Sequence, residues 1–337
     1  MFTTEMVSRL FASFENTRVL IIGDVMLDTY VWGSVNRISP EAPVPIVAVE
    51  KREVRLGGAA NVAMNLKSLG AEPILCSIVG NDARGDEFIN TMQSDNIPTM
   101  GIINSADRKT TTKFRIIGNN TQLLRIDDET TDPLSDNDHK LIESKIKDIV
   151  EKEDIRVIIF QDYDKGVIDE KLIEYTVNLA QTKNIPVAVD PKKRNFLSYK
   201  NVTLFKPNLK EIEDGLNTSI KGSDIGTVET AVSKLQEILN ATMVMNTLSE
   251  NGVFIRWKEN GSFQTSHHPA HVRNIADVSG AGDTVISVAA LCLTRGLDAN
   301  DITAIANLAG GLVCEEVGVV PIDKKKLQEE IISTLTF

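Results

Sequence analysis

The sequence has few cysteines, no surplus of positive charge and no long apolar run. Its three cysteines in 337 residues lie far apart, so we interpret them as buried, reduced thiols of a cytosolic protein. Basic residues number 36 against 47 acidic ones, and the net charge of −11 argues against nucleic acid or anionic membrane as a partner. No stretch reaches the ~18 apolar residues of a membrane span, and the N-terminus lacks a signal-peptide pattern. These absences predict a soluble, cytoplasmic protein.

Two common nucleotide-binding signatures are also missing. The chain contains neither a Walker-type G-x-x-x-x-G-K-[ST] string nor a G-x-G-x-x-G dinucleotide fingerprint. His267, His268 and His271 lie close together, but no cysteine or carboxylate cluster accompanies them, so we do not expect a metal site there. A nucleotide would therefore have to bind through other features.

What the sequence does contain is a regular alternation of short β-branched runs and amphipathic stretches. Strand-like residues 19–22 precede helix-like residues 61–69, and residues 157–160 precede 169–183. Near-continuous apolar strands separated by helices predict an α/β fold with a mostly parallel sheet covered on both faces. We expect residues 1–337 to form a single domain, with ligands beyond the carboxyl ends of the strands.

Two segments interrupt the alternation, at roughly 30–56 and 101–126. Both contain strand-like pieces with no helix between them, which predicts a separate small β-sheet. Because the strongest candidate ligand residues flank these segments, we expect a lid that closes over the substrate and excludes water. Lid edges can pair with a second copy of the chain, so we also expect a homodimer.

The most informative motif is D-V-S-G-A-G-D at residues 277–283, where an apolar helical run begins. The backbone N–H groups of Gly280, Ala281 and Gly282 would lie uncapped at a helix N-terminus, which attracts anions such as phosphates. Asp283 would lie beside that site and accept the proton of an attacking hydroxyl. This interpretation requires the carboxylate to face the amides. The alternative is an ordinary turn in which Asp283 only complements the helix dipole.

Two places near the N-terminus are candidates for sugar binding. Gly57 and Gly58 precede a helix and would let a sugar lie against bare backbone, while the Asn61 amide can donate to and accept from hydroxyls. A structural turn is the alternative. Asp24 and Asp28 follow the first strand, where a carboxylate can bind two vicinal hydroxyls or cap local backbone. We favour Asp28 because it stands at the entrance to the lid.

Asn208 and Glu211 lie three residues apart at a helix start and share one face. Together they could hold water around a Mg²⁺ ion that bridges nucleotide phosphates, since Mg²⁺ keeps several waters and takes few protein ligands. A helix-capping pair is the alternative. Lys165 and Lys192 follow predicted strands, and solvated surface lysines are the usual explanation for such residues.

Together these motifs resemble the PfkB (ribokinase-like) sugar kinases over nearly the whole chain. The resemblance implies a three-layer sandwich with a β-sheet lid, and ATP and Mg²⁺ as cofactors. It implies that Asp283 is the base, that residues 280–282 form the anion hole, and that Asp28, Gly58 and Asn61 contact the sugar. Looser motifs extend the ATP site implied at Asn208 and Glu211 to Thr247, Ser249, Glu250, Gly252, Asn307 and Gly310.

Within this family, R-I-S-P-E-A-P-V-P (37–45), Q-L-L-R-I-D (122–127) and D-P-K (190–192) are similar to strings of the heptose 7-phosphate kinases. The implied reaction moves the γ-phosphoryl group of ATP to the anomeric hydroxyl of D-glycero-β-D-manno-heptose 7-phosphate, for ADP-heptose and lipopolysaccharide synthesis. Such kinases often carry an adenylyltransferase domain with an H-x-G-H signature, which this sequence lacks, so we expect only the kinase step. Ribose or fructose 1-phosphate kinases, and a non-catalytic sugar-binding regulator, are the alternatives.

The 7-phosphate of such a substrate needs cations, and the sequence does not choose among them. The candidates are Arg37, Lys113, Arg115, Arg125, Lys165 and Lys192. Two departures from the family pattern stand near the nucleotide motifs. Leu248 occupies the arginine position of T-R-S-E-x-G, and Lys193 the glycine position of D-P-K-G. The sequence therefore makes no prediction for the nucleotide contacts near Leu248.

Overall fold

The computed structural model describes residues 2–271 and 273–335. The strands are β1 (Arg18–Gly23), β2 (Val25–Ile38), β3 (Pro45–Gly58), β4 (Glu72–Gly80), β5 (Ile102–Ser105), β6 (Thr112–Gly118), β7 (Thr121–Asp128), β8 (Ile155–Gln161), β9 (Val187–Asp190), β10 (Leu204–Phe205), β11 (Met243–Thr247), β12 (Val253–Glu259) and β13 (Ser262–His268). The helices are α1 (Thr4–Ser13), α2 (Ala59–Ser68), α3 (Ala83–Ser94), α4 (Asp136–Lys152), α5 (Glu170–Thr182), α6 (Leu209–Leu216), α7 (Ile225–Leu239), α8 (Ala281–Leu293), α9 (Ala299–Val313) and α10 (Lys324–Leu335).

The large sheet has nine strands within the described residues, in the order β13-β12-β11-β10-β9-β8-β1-β4-β5. Seven neighbouring strands of this sheet are parallel, namely β11, β10, β9, β8, β1, β4 and β5. Strands β12 and β13 add an antiparallel edge. The predicted α/β class with a mostly parallel sheet is confirmed. No helix in the described part of the chain is long and apolar enough to cross a bilayer.

Strand β1 shows why helices cover both faces of this sheet. Successive strand residues point to opposite faces. Val19 and Ile21 accordingly pack into one buried apolar cluster with α2, α8 and α9, whereas Leu20 and Ile22 pack into a second cluster with α4, α5 and α7. The two cores make the three-layer sandwich. The three cysteines are free and buried, as expected.

One predicted helix has different ends in the structure. The apolar residues of the final third of the sequence predict a helix over 304–317, but α9 spans Ala299–Val313. Its start is fixed by Asp298, whose side chain accepts a hydrogen bond from the Asp301 backbone. The residues after Cys314 leave the helix and lead into a turn at Gly318, which has a φ of 79°. The Asp298 cap, and not the apolar pattern, therefore sets the start of α9.

The small predicted sheet exists, with other boundaries. It contains β3-β2-β6-β7 within the described residues, with β2 paired antiparallel to β3 and parallel to β6. The first lid segment begins at Val25, before the predicted residue 30, because only Asp24 separates β1 from β2. The second prediction was wrong at its start, since β5 pairs with β4 at the edge of the large sheet.

Candidate active site

Polar residues converge at the carboxyl ends of neighbouring parallel strands of the large sheet. Asp24 follows β1, Gln161 ends β8, Asp190 ends β9 and Lys206 follows β10. These four side chains are buried, although each carries a charge or a polar amide. The N-terminus of α8 packs directly above them, which brings Asp283 into the same cluster. The cluster lies where open α/β sheets bind their ligands.

The start of α8 has the uncapped form that the sequence predicts. Gly280 precedes the helix with a φ of 81° and no side-chain cap, and a Cβ at this position would lie 3.0 Å from Asn61 Nδ2. The amide of Ala281 donates to the carbonyl of Val278 at 3.3 Å, so it is already engaged. Among the described residues, no acceptor takes the amides of Gly282 and Asp283. Of the predicted set, Gly280 and Gly282 thus keep free amides within the described residues, whereas Ala281 does not, and the amide of Asp283 is an additional free donor.

The Asp283 carboxylate is 6% exposed and lies in a pocket of hydrogen-bond donors. Asn61 Nδ2 donates to its Oδ2 at 2.5 Å, while Tyr163 Oη and Gln161 Nε2 donate to Oδ1 at 2.8 and 3.0 Å. Burial raises the pKa of Asp283 to about 6, with a further contribution from the charge of Asp190. The acid is thus a candidate base near neutral pH, and its three donors leave one acceptor position on Oδ2 for a substrate hydroxyl.

An ion pair of Asp190 and Lys206 borders the free amides. Lys206 Nζ lies 3.0 Å from Asp190 Oδ2, and both residues are almost completely buried. A Cβ on Gly282 would lie 3.5 Å from each of these two atoms. The Lys206 cation therefore lies within a few ångströms of the helix start. This residue was missed at the sequence level, although its position directly after a parallel strand was a usable signal.

Asp24 organises the loop that carries Tyr163. Its carboxylate accepts backbone hydrogen bonds from Tyr163 at 2.9 Å, Lys165 at 3.1 Å and Val167 at 3.0 Å. Burial raises the pKa of Asp24 in spite of these donors. This residue therefore caps local backbone, which was one of the two roles considered for it, and it holds the Tyr163 hydroxyl against Asp283.

A comparison with protein-family models decides the family. The model described as pfkB family carbohydrate kinase matches residues 16–325. The chain belongs to this family. This kinase is 39% identical to the bifunctional protein HldE of Magnetococcus marinus over 328 residues, which are 96% of the chain and 66% of that protein. The chain thus spans about two thirds of the length of the curated relatives it matches.

Solved structures show the same fold at low sequence identity. The kinase superposes on phosphofructokinase-2 from Escherichia coli in complex with fructose 6-phosphate with a TM-score of 0.75 and 17% identity, covering 96% of this chain and 100% of that one. It superposes on Arabidopsis thaliana ribokinase complexed with ribose and ATP with a TM-score of 0.70 and 15% identity, covering 93% and 99%. The ribokinase-like architecture is therefore shown, and the family implies that the kinase uses ATP.

The predicted sugar residues lie at the base of the small sheet. Asp28 is 7% exposed on β2, where it forms an ion pair with Arg115 of β6. A Cβ on Gly57 would lie 2.4 Å from Asp28 Oδ2, so the carboxylate packs against bare backbone. Gly58 has a φ of 62° and leads directly into α2, which carries Asn61. The structure brings these residues together, and the Asn61 amide nitrogen already binds Asp283.

Asn208 and Glu211 form the capping box of α6. The Asn208 side chain accepts from the Glu211 amide, and the Glu211 carboxylate accepts from the Asn208 amide, both at 2.8 Å. The second carboxylate oxygen binds Lys192, whose Nζ also lies 5.8 Å from the ring centre of Tyr163. Burial opposes the charge of Lys192, but Asp190 and Glu211 outweigh it and raise its pKa. Lys192 therefore lies with the predicted nucleotide residues and not at the lid.

Oxygen donors near α6 are of the type that Mg²⁺ prefers. No group of three or more His, Cys, Asp or Glu side chains in the described part of the chain is arranged to hold a metal. Asn208 and Glu211 use their oxygens for the cap and for Lys192. Only an ion held mainly by water and substrate phosphates is compatible with these engaged oxygens, and the role of Asn208 and Glu211 in holding it stays a prediction.

The looser nucleotide motifs are spread over two regions. Thr247 ends β11 and pairs with Asn208 through an isolated parallel bridge, which places Ser249, Glu250 and Gly252 beside α6. Leu248 is buried in the second apolar cluster, so the departure from the arginine pattern puts an apolar side chain into the core. Asn307 and Gly310 lie on α9, where the Asn307 amide donates to Pro269 O at 3.0 Å. A Cβ on Gly310 would lie 2.7 Å from Val285 of α8.

Three of the remaining predicted phosphate cations are paired with acids, whereas Arg37 is exposed on β2 and has no ion pair within the described residues. Lys165 Nζ lies 2.7 Å from Glu129 Oε1, next to Lys113, which also contacts Asp127 at 3.1 Å. Arg125 binds Asp127 at 2.9 Å from its own strand. Each of these three cations would have to leave or share its carboxylate partner to bind a phosphate.

Proposed function

We propose that this kinase transfers the γ-phosphoryl group of ATP to the anomeric hydroxyl of D-glycero-β-D-manno-heptose 7-phosphate. The observation that carries the kinase chemistry is the buried Asp283 carboxylate beside the free amides of Gly282 and Asp283. The heptose is supported by the R-I-S-P-E-A-P-V-P string and by 39% identity to a protein named HldE. The product would be the 1,7-bisphosphate, on the route to ADP-heptose.

Phosphoryl transfer asks mainly for alignment and for neutralisation of charge on the moving group. The sugar hydroxyl donates to Asp283 and gives its proton to the carboxylate late in the reaction, as its oxygen bonds to the γ-phosphorus and ADP leaves. The amides of Gly282 and Asp283 and the Lys206 cation stabilise negative charge on the phosphates. Asn208 and Glu211 would hold Mg²⁺ through water, and the bound ion would neutralise charge on the nucleotide phosphates.

A substrate panel tests the proposal. The purified chain is given ATP and Mg²⁺ with heptose 7-phosphate, ribose or fructose 1-phosphate, and kcat/KM is measured for each. We expect heptose 7-phosphate to be preferred, with the new phosphate on the anomeric oxygen by ³¹P NMR. A preference for another sugar would replace the substrate and keep the kinase. An absence of ATP turnover with every sugar phosphate would contradict the catalytic role.

We also propose that residues 1–337 act as one kinase domain whose small sheet is a lid and a dimer interface. Strand β7 lies at the edge of that sheet, and its apolar residues Leu123, Leu124 and Ile126 are exposed. An exposed apolar edge favours pairing with another strand. Light scattering at micromolar concentration should give a dimer mass, and a monomer mass would contradict this part of the proposal.

A further inference from the structure

The strand register of the lid places most of its charged side chains on one face. Directly paired residues of neighbouring strands share a face, as do residues two apart on a strand. Asp28 pairs with Arg55 of β3 and with Lys113 of β6, and Tyr30 pairs with Glu53 and Arg115. Apolar side chains such as Leu27 and Val31 alternate with these and point to the other face. The lid therefore presents a polar surface on one side.

This polar face is turned toward the cluster around Asp283, and we call the space between the two the cleft. Asp28 packs against the backbone of Gly57, beside the helix that carries Asn61. Arg55 Nη1 lies 3.1 Å from the place where a Cβ of Gly318 would stand, and the Gly318 amide donates to Asp277 at 3.1 Å. Asp277 begins the string that ends at Asp283. The Arg55 side chain thus spans from the lid to the loop next to the anion hole.

Two guanidinium groups lie against the ring of Tyr30, whose hydroxyl is unused within the described residues. The Cζ atoms of Arg55 and Arg115 lie 5.0 and 5.1 Å from the centre of the Tyr30 ring. Arg115 is ion-paired with Asp28, and Arg55 with Glu53. The Tyr30 hydroxyl has no hydrogen-bond partner within residues 2–271 and 273–335. Two forked donors that flank the ring of a tyrosine with an unused hydroxyl are suited to a phosphate group.

We infer that Arg55, Arg115 and Tyr30 bind the phosphate that the sugar substrate carries at the end remote from the reacting hydroxyl. Arg55 was absent from the cations selected by sequence, and the other candidates lie less favourably. Lys192 stands beside Glu211 at the nucleotide side, and Lys113 and Lys165 share the carboxylate of Glu129. The inference rests on the proposed function because it assumes a sugar phosphate as the substrate.

The test compares Arg55→Ala and Tyr30→Phe with wild type on heptose 7-phosphate and on the same heptose without its phosphate. Losing a charge-assisted contact should raise KM for the 7-phosphate by about 10- to 100-fold for Arg55→Ala and by a few-fold for Tyr30→Phe. KM for ATP and activity on the unphosphorylated heptose should stay the same. Arg52→Ala is the matched control, because Arg52 pairs with Val31 on the opposite face of the same strand.

Arg115→Lys complements these variants, since Arg115→Ala would leave Asp28 buried without its cation. Thermal melts confirm that each variant is folded. Equal losses on both heptoses, or no change in KM for the 7-phosphate, would overturn the inference. If wild type prefers another sugar phosphate, the proposed function fails and the same comparison with that compound still tests the three residues. A kinase active only on sugars without phosphate would overturn the inference itself.

Discussion

The two ends of the cleft are built differently. At the α8 end, Asp283 and Lys206 are almost fully buried and hold fixed hydrogen bonds and an ion pair with the ends of the sheet strands. At the lid end, the ion pair of Arg55 and Glu53 is partly exposed, although Asp28, the partner of Arg115, is buried. Buried, satisfied groups are held in place, whereas exposed ion pairs exchange at little cost. We therefore propose that the buried end, around Asp283, carries the chemistry and that the lid end, around Arg55 and Arg115, recognises the substrate.

The strongest test of this difference between the two ends is to remove the Asp283 carboxylate. Asp283→Asn should lower kcat by at least about a hundredfold, on the scale of general-base losses, with little change in ATP binding. Steady-state kinetics and nucleotide titration check both parts. Near-normal turnover would show that Asp283 is only a partner of the helix dipole.

Breaking the buried ion pair of Asp190 and Lys206 should cost more stability than breaking an exposed ion pair. Lys206→Met leaves the Asp190 carboxylate buried without its closest cation, which should reduce the free energy of unfolding by about 3 kcal/mol. The exposed pair of Lys152 and Asp148 on α4 is the control, and Lys152→Met should change stability by less than about 0.5 kcal/mol. Urea denaturation measures both. Equal effects would remove the contrast between buried and exposed pairs.

The smallest expected effect concerns the protonation of the base. Asp283 accepts a proton only in its charged form, so kcat/KM should fall as pH drops through its pKa of about 6. The Tyr163 hydrogen bond lowers that pKa, and Tyr163→Phe should move the acidic limb to higher pH by roughly half a unit.

A pH profile between about 5 and 8 shows the shift. Tyr175→Phe on α5 serves as the control with an unmoved limb. A limb that stays in place in Tyr163→Phe would mean that another group titrates.

The sequence carried much of the fold and some of the site. The apolar alternation predicted the parallel sheet, and the glycines at 280 and 282 predicted the uncapped helix start, because both are local patterns. Gln161 and Tyr163 were missed because they reach Asp283 across more than 100 positions of chain, and Tyr163 does so from a loop that Asp24 holds in place. Arg55 was missed because its face depends on the pairing of β3 with β2, which local spacing does not reveal.

The most direct measurement sets the two ends side by side in one assay. The steady-state constants of Asp283→Asn and Arg55→Ala are determined with the same sugar phosphate, under saturating ATP. The account predicts a large loss of kcat with unchanged KM for Asp283→Asn, and a raised KM with nearly unchanged kcat for Arg55→Ala. A loss of kcat in both variants, with KM unchanged in both, would contradict the division of the cleft into a reacting end and a recognising end.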